Sequence, residues 1–407
     1  MTTNALGHSD GRPRGITELL GGGLLALGVL ALFLKFVPSP FIWIWLVWGA
    51  LGIVGTAISR GQAGKMVCVS VAAVCLSLGT FEAWLWITDP GDPPKTIEYS
   101  PARPFIRDPI LGWRLAPGQI THATSRSGRT LIYDVVYTVN ASGQRITPPV
   151  VTREPRGCVL FFVDSFAFGE GVRDEDSLPY RVGIRTSGRY RAVNFGAPGY
   201  GAEHMLASIE QGIVQSHSPC RPTHVVYEAI PHHVARVTGA TSYSHLGPHY
   251  AVARAGGVVY TGTGTPQQVV APPPSWPGRV ILRADELLRR SRIYERLLRR
   301  EVRPPDTDIE LYFAVVAAAR DRFAAEYPGV QFHVLAWNLD GFEAGSFDRF
   351  LEGLERITTH VHRVDRILPK YSTTPQPYQL HRLDRHASAL ANDLLAQYVA
   401  DDILSRE

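Results

Sequence analysis

Val159-Leu160-Phe161-Phe162-Val163-Asp164-Ser165-Phe166-Ala167-Phe168-Gly169-Glu170-Gly171-Val172 is an apolar run that stops at Asp-Ser and passes into a glycine-rich turn. Such a run reads as a buried strand, and the turn residues that follow mark its end. It delivers the Ser165 hydroxyl to a sheet edge, where open α/β sheets hold their ligands. Asp-Ser in this place also suits the N-cap of a following helix. What decides between the two readings is what the rest of the chain brings to the same edge.

Outward from this stretch, strand-like and helical segments alternate. Val159–Val163, Ala192–Phe195, Val225–Ile230 and Phe332–Ala336 have strand character, with helical stretches between them. This alternation predicts an α/β fold: a doubly wound, flavodoxin-like parallel sheet with helices on both faces, over residues 157–407. An insertion at 241–303 interrupts it. Ser242 to Pro277, rich in Gly, Pro, Thr and Tyr, suits a hairpin-bearing lid. Arg279 to Arg303 reads as an amphipathic helix whose arginines form a solvated face or meet an anionic surface.

Upstream, residues 89–156 form a Pro- and Gly-rich linker and a small strand-rich lead-in, expected to be structural. Residues 1–88 form a membrane domain: the stretches at 16–37, 41–59 and 66–88 are each about long enough to cross a bilayer as a helix. The first lacks a small-residue cleavage site and is followed at once by a second span, so it is expected to be retained. Arg12, Arg14, Arg60 and Lys65 fall on one side and Lys35 on the other, which predicts a cytoplasmic N-terminus and an extracytoplasmic 89–407. Trp43, Trp45, Trp84 and Trp86 would form an aromatic belt at the outer interface, where Glu82 would reach toward water.

A chain of 407 residues, 45% hydrophobic and 10% aromatic, can build a sizeable core, and disorder of the whole is excluded. No internal repeat, nucleic-acid module or zinc-ligand spacing is visible. Cys68 and Cys75 sit in the third apolar stretch as small apolar residues. Cys158 and Cys220 each precede an apolar run read as one of two neighbouring strands, and an extracytoplasmic location permits a disulfide between them. Its formation depends on a Cα separation that the sequence leaves open.

A serine hydroxyl becomes a nucleophile only with a base in hydrogen-bond reach and donors aimed at the developing oxyanion. Val193-Asn194-Phe195-Gly196-Ala197-Pro198-Gly199-Tyr200-Gly201 offers a strand end passing into a glycine-dense turn, a form shared with ordinary loops. His381-Arg382-Leu383-Asp384-Arg385-His386 opens a helical run reaching Asp401, with an aspartate two residues before a histidine. In order and content these blocks resemble the SGNH, or GDSL-type, hydrolases over residues 157–400.

The resemblance implies Ser165 as nucleophile, His386 as base, Asp384 as the residue that orients the ring, and the N–H groups of Ser165 and Gly196 as oxyanion donors. His381 fits the base role less well. Two departures stand out: Val163 occupies a position where the family usually has glycine, and Pro231-His232-His233 replaces the usual asparagine donor. His232, His233 and Asn338 are the alternatives for that donor.

The function so implied is a membrane-anchored, extracytoplasmic serine ester hydrolase acting on an acyl ester, such as acetyl, of an envelope or exported glycan. It would need no metal or organic cofactor. Its partners would be the lipid bilayer and the ester substrate, not nucleic acid. Two other readings compete: an O-acyltransferase component working with a membrane acyltransferase partner, and a non-catalytic glycan-binding or envelope-assembly protein with a degenerate fold.

Overall fold

The computed structural model of the chain describes residues 39–89, 91–149, 154–241, 243–253, 256–264, 288, 291–298, 304–339 and 346–405. The chain divides into two compact units, 1–91 with 271–300 and 92–270 with 301–407.

In the first unit, helices Pro40–Ile58 and Gln62–Thr88 are joined by a short turn. Gly52 lets them touch: a Cβ there would lie 2.9 Å from the Ala72 backbone, and Gly49 and Gly55 face Leu76 and Cys68 in the same way. Small residues are what allow apolar helices to approach closely when lipid is the solvent. Trp48, Leu51, Ile58 and Met66 are exposed on the outer faces. Both helices are long and apolar enough to cross a membrane.

They coincide with the second and third expected spans, the latter beginning earlier, at Gln62; the first, at 16–37, lies outside the described residues. Glu82 differs from expectation. Its carboxylate is fully buried and accepts from Ser39 Oγ, Ser291 Oγ and the N–H groups of Arg292 and Ile293 at 2.7–3.2 Å. Four donors compensate its desolvation, so it has no need of water. Of the expected 279–303 helix, the described part is Leu288 and residues 291–298, with a π-helical turn at Tyr294–Leu298.

The second unit begins with the lead-in. Its strands are β1 (Lys95–Ser100), β2 (Phe105–Asp108), β3 (Gly112–Leu115), β4 (Ile120–Ser127) and β5 (Thr130–Thr138). They form an antiparallel sheet β1-β4-β5 and a β2-β3 ribbon. The main sheet follows: β6 (Gly157–Phe162), β7 (Tyr190–Asn194) and β8 (Pro222–Ala229). The insertion supplies the hairpin β9 (Pro248–Val252) and β10 (Val258–Thr263). Then come β11 (Gln331–Ala336), β12 (Val361–Arg363) and a final hairpin of β13 (Gln379–His381) and β14 (Asp384–Ala387).

The five parallel strands run in the order β12-β11-β8-β6-β7, the doubly wound order in which the strand order reverses between β6 and β8. Both faces are covered. Leu160, Phe162, Val225, Tyr227 and Val334 pack on one side with helices Ala202–Glu210 and Asp306–Glu326, while Val159, Phe161, Val226 and Leu335 pack on the other with Leu178–Arg185 and Ala389–Tyr398. Strand alternation produces this division. Strand β12 was not anticipated, because His360-Val361-His362-Arg363 carries no apolar run; parallel pairing with Val334–Ala336 holds it. Cys158 and Cys220 form a disulfide at a Cα separation of 5.5 Å, stapling the start of β6 to the chain entering β8.

Beneath the second face lies a row of histidines. The His333 ring lies 5.7, 4.7 and 5.4 Å from those of His224, His360 and His362, and its Nδ1 is 3.1 Å from His362 Nε2. Burial first, then the fields of His362, His224 and His360, pushes the His333 pKa down to about 2. An unfolded chain takes up this proton below its ordinary value near 6.5 and the folded chain does not. Folded-state stability should therefore fall as the pH drops from about 6.5 toward 2, with a limiting slope of about 1.4 kcal/mol per pH unit from His333 alone. Acid unfolding of His333→Phe, followed by circular dichroism, should show a flatter pH dependence than wild type; an unchanged slope would exclude His333 as the source.

Candidate active site

Strand β6 ends at Phe162 and the chain turns at once. Asp164 caps the four-residue helix Ser165–Phe168 by accepting the Phe166 N–H at 2.9 Å. The cap and nucleophile readings are thus compatible, since the residue that caps is Asp164 and the hydroxyl belongs to the next residue. Ser165 Oγ lies 2.6 Å from His386 Nε2.

His386 reaches the serine from an unexpected element. It stands on β14, within a hairpin, and not at the entry to the last helix, which Ser388 caps by accepting the Ala391 N–H. Two-residue spacing on a strand puts Asp384 and His386 on one face, and Asp384 Oδ1 lies 2.5 Å from His386 Nδ1. Phe166 packs against both His386 and Trp337, with ring centroids 5.1 and 4.9 Å away, which restrains the imidazole. Burial pushes His386 down, but the Glu170 carboxylate and the bond to Asp384 outweigh it, so its pKa lies above the ordinary value. Burial alone would raise Asp384; its bond to His386 and the Lys95 ammonium hold it well below the usual carboxylate range.

Two residues that the sequence did not point to complete the cluster. Lys95, from β1 of the lead-in, places Nζ 2.5 Å from Asp384 Oδ2 and 3.1 Å from Glu170 Oε1. Glu170 also accepts from Tyr133 of β5 at 3.2 Å, and its other oxygen is 3.9 Å from His386 Nε2. The lead-in therefore does more than support the fold. Glu170, Asp384 and His386 are close enough together to share a metal ion, but the Lys95 ammonium already serves both carboxylates. The loop bearing Glu170 is fixed by Arg145, a buried side chain that donates to the carbonyls of Phe168, Gly169 and Val172 and to Asp174 Oδ1. Its signal, one arginine in a polar turn, is indistinguishable in sequence from a surface residue.

The expected oxyanion donors fare differently. The Gly196 N–H already donates to Asn194 Oδ1 at 2.9 Å, and Asn194 Nδ2 donates to the Ala167 carbonyl. A Cβ on Gly196 would lie 2.5 Å from the Phe168 nitrogen, so the glycine permits close packing against the helix Ser165–Phe168. The structure thus places the Gly196 N–H in an internal bond and the glycine in a packing role. His233 is fully buried, with Nε2 3.1 Å from Asp164 Oδ2, so it is committed to that carboxylate and not to an oxyanion. His232 is exposed at the start of the helix His233–Val237, and Asn338 is half-buried after Trp337.

Asp164 itself is fully buried. Beyond the Phe166 N–H and His233, it accepts from Arg236 Nη1 at 2.8 Å, and the same guanidinium nitrogen donates to the Tyr200 carbonyl. Burial would raise its pKa, but Arg236 and His233 hold it far below the usual range.

Neither a protein-family model nor a curated protein matches the chain. Solved structures do. One is a putative lipolytic protein of the G-D-S-L family from Desulfitobacterium hafniense, at 12% identity and TM-score 0.34, over 60% of this chain and 97% of that one. Another is a carbohydrate acetylesterase family member from Sinorhizobium meliloti, at 11% identity and TM-score 0.30, over 60% and 96%. A third is an acetyl xylan esterase from the rumen bacterium Butyrivibrio proteoclasticus, at 11% identity and TM-score 0.33, over 77% and 83%.

Removing one partner of a buried ion pair leaves the other charge uncompensated. Asp164→Ala should therefore destabilise the protein by about 3–5 kcal/mol, because Arg236 and His233 lose their acceptor. Asp164→Asn should cost less, since an amide oxygen can still cap Phe166. Thermal unfolding of both variants checks the order, and equal losses would contradict it.

Proposed function

We propose that the chain is a serine ester hydrolase of SGNH type, tethered to the membrane by its N-terminal helices with residues 89–407 outside the cytoplasm, acting on an acetyl ester of an envelope or exported glycan. The observation that carries the reading is the unbroken line Ser165 Oγ, His386 Nε2, His386 Nδ1, Asp384 Oδ1, with links of 2.6 and 2.5 Å. A catalytic serine needs this arrangement and a capping serine does not. The line counts against a non-catalytic role. The two apolar helices support the tether, and the disulfide suits an oxidising compartment.

In this mechanism the Ser165 oxygen attacks the ester carbonyl carbon while its proton passes to His386 Nε2. Asp384 keeps Nδ1 protonated and stabilises the imidazolium that forms. The tetrahedral oxyanion takes the Ser165 N–H at the start of the short helix, one of the N–H groups that a helix start leaves without an intrahelical acceptor. Its collapse breaks the bond to the alcohol, which leaves with the proton from Nε2. Water, deprotonated by His386, then releases the acid and restores Ser165.

Purified full-length protein should turn over p-nitrophenyl acetate, and Ser165→Ala should reduce kcat/KM by about 10⁴-fold or more. Undiminished activity in that variant would sink the assignment. The base must be neutral to accept the serine proton, so kcat/KM should rise with pH through the His386 pKa. The environment raises that pKa, and the midpoint should accordingly lie above 6.5, the ordinary histidine value. A midpoint below 6.5 would show that the imidazole does not feel the two carboxylates as described.

A further inference from the structure

Ser165, His386 and Asp384 account for the proton path, and they leave two charged groups unexplained. Glu170 and Lys95 lie in contact with the triad, yet neither is required by a serine, a histidine and an aspartate. The Glu170 side chain is 10% exposed and that of Lys95 28%, and they meet at 3.1 Å. Glu170 is held from three directions: by Lys95, by the Tyr133 hydroxyl and by the Arg145 bonds to its own loop. A surface pair would not be fixed in this way.

Their placement around the ring is asymmetric. Glu170 Oε2 stands 3.9 Å from Nε2, the nitrogen that receives the serine proton. Lys95 stands on the far side of Asp384, 2.5 Å from Oδ2, the oxygen that His386 does not use. We propose that Glu170 and Lys95 are opposed positioning residues for the imidazole, Glu170 drawing a proton onto Nε2 and Lys95 restraining both carboxylates from holding it too strongly. This rests on the reading of Ser165 and His386 as nucleophile and base. Its consequence is that the lead-in strand β1 sets the pH range in which the site is poised.

The charges facing His386 can be named element by element. Ser165 lies after β6 and Glu170 in the loop that follows, with Arg145 beneath that loop. Lys95 comes from β1, and Asp384, Arg385 and His381 from the β13-β14 hairpin. Tyr133 and Tyr137 of β5 and Tyr99 of β1 feel Glu170, and burial together with that carboxylate raises all three phenols, so they stay neutral around it. Lys95 is desolvated, yet Glu170 and Asp384 raise its pKa and keep it charged. With imidazole neutral, Lys95, Glu170 and Asp384 carry one excess negative charge; with imidazolium they balance. An opposite charge within about 4–6 Å favours the charged form by about 1–3 pKa units.

The test uses the full-length protein in detergent micelles, carrying histidine labelled with ¹³C at Cε1. The His386 resonance is assigned by its loss in His386→Gln, and its titration is followed in Glu170→Gln and Lys95→Met. Removing the carboxylate should lower the His386 midpoint by about one unit, and removing the ammonium should raise it. Lys95→Arg, which keeps the charge, should restore the wild-type midpoint, and Lys95→Gln replaces the methionine variant should that one fail to fold. The acid limb of kcat/KM for p-nitrophenyl acetate should move in the same opposed directions. Midpoints that stay in place, or move together, overturn the proposal, because a merely structural role would lower kcat without moving them. Absence of fluorophosphonate labelling at Ser165 would defeat the hydrolase reading alone, since the resonance titration needs no turnover.

Discussion

The site depends on one buried carboxylate. Asp164 joins the end of β6 to the chain leaving β8 through His233 and Arg236, and Arg236 carries the connection to the Tyr200 carbonyl beyond β7. Three neighbouring strand ends are thus fixed relative to the residue that follows Asp164, which is Ser165. A desolvated carboxylate is tolerable only when its acceptor sites are filled, and here an N–H, an imidazole and a guanidinium fill them. The short helix opened by this cap holds the serine side chain with no rigidity of its own, since one isolated turn is not a stable element in water.

Val163 shows what that clamp withstands. Its φ is 148°, a backbone conformation that suits glycine, and the side chain is 1% exposed. A residue held there stores roughly 1–3 kcal/mol of strain and persists only where its surroundings over-determine it. They do so here: the Val163 carbonyl accepts the Ala197 N–H at 3.2 Å, and Asp164 follows immediately. Burying the valine side chain contributes a comparable amount, roughly 1.5–3 kcal/mol. The departure from glycine therefore changes the local balance of forces without displacing Ser165 from His386.

What could be read from the sequence was whatever a short window carries. Strands β6, β7, β8 and β11 announce themselves by apolar runs, and Asp384 and His386 stand where the resemblance to the SGNH hydrolases implies a base and the residue that orients it. Strand β12 and the β13-β14 hairpin have no such run: parallel pairing with β11 holds β12, and β13 and β14 hold each other across a short turn. A glycine needed for close packing and one needed for a free N–H look the same in sequence, so the packing of Gly196 against Ser165–Phe168 is not legible there. The bond of His233 is hidden for a related reason: its partner is Asp164, 69 positions away. Lys95 was invisible, lying 289 residues from Asp384 in a segment with no mark of chemistry.

The distribution of charge around the serine separates scaffold from chemistry. Asp164 has Arg236 and Asp174 has Arg145, one cation for each carboxylate, and both pairs fix backbone. Asp384 and Glu170 share the single ammonium of Lys95. Paired carboxylates with their own arginines have little to gain from another proton. The pair that shares one cation sits beside the only imidazole bonded to Ser165 among the described residues, and it gains most from a positive charge arriving there. In the proposed mechanism positive charge arrives on that ring when the serine gives up its proton, so the deficit would lie where the transition state fills it, which is how a fixed environment favours a transition state over a ground state.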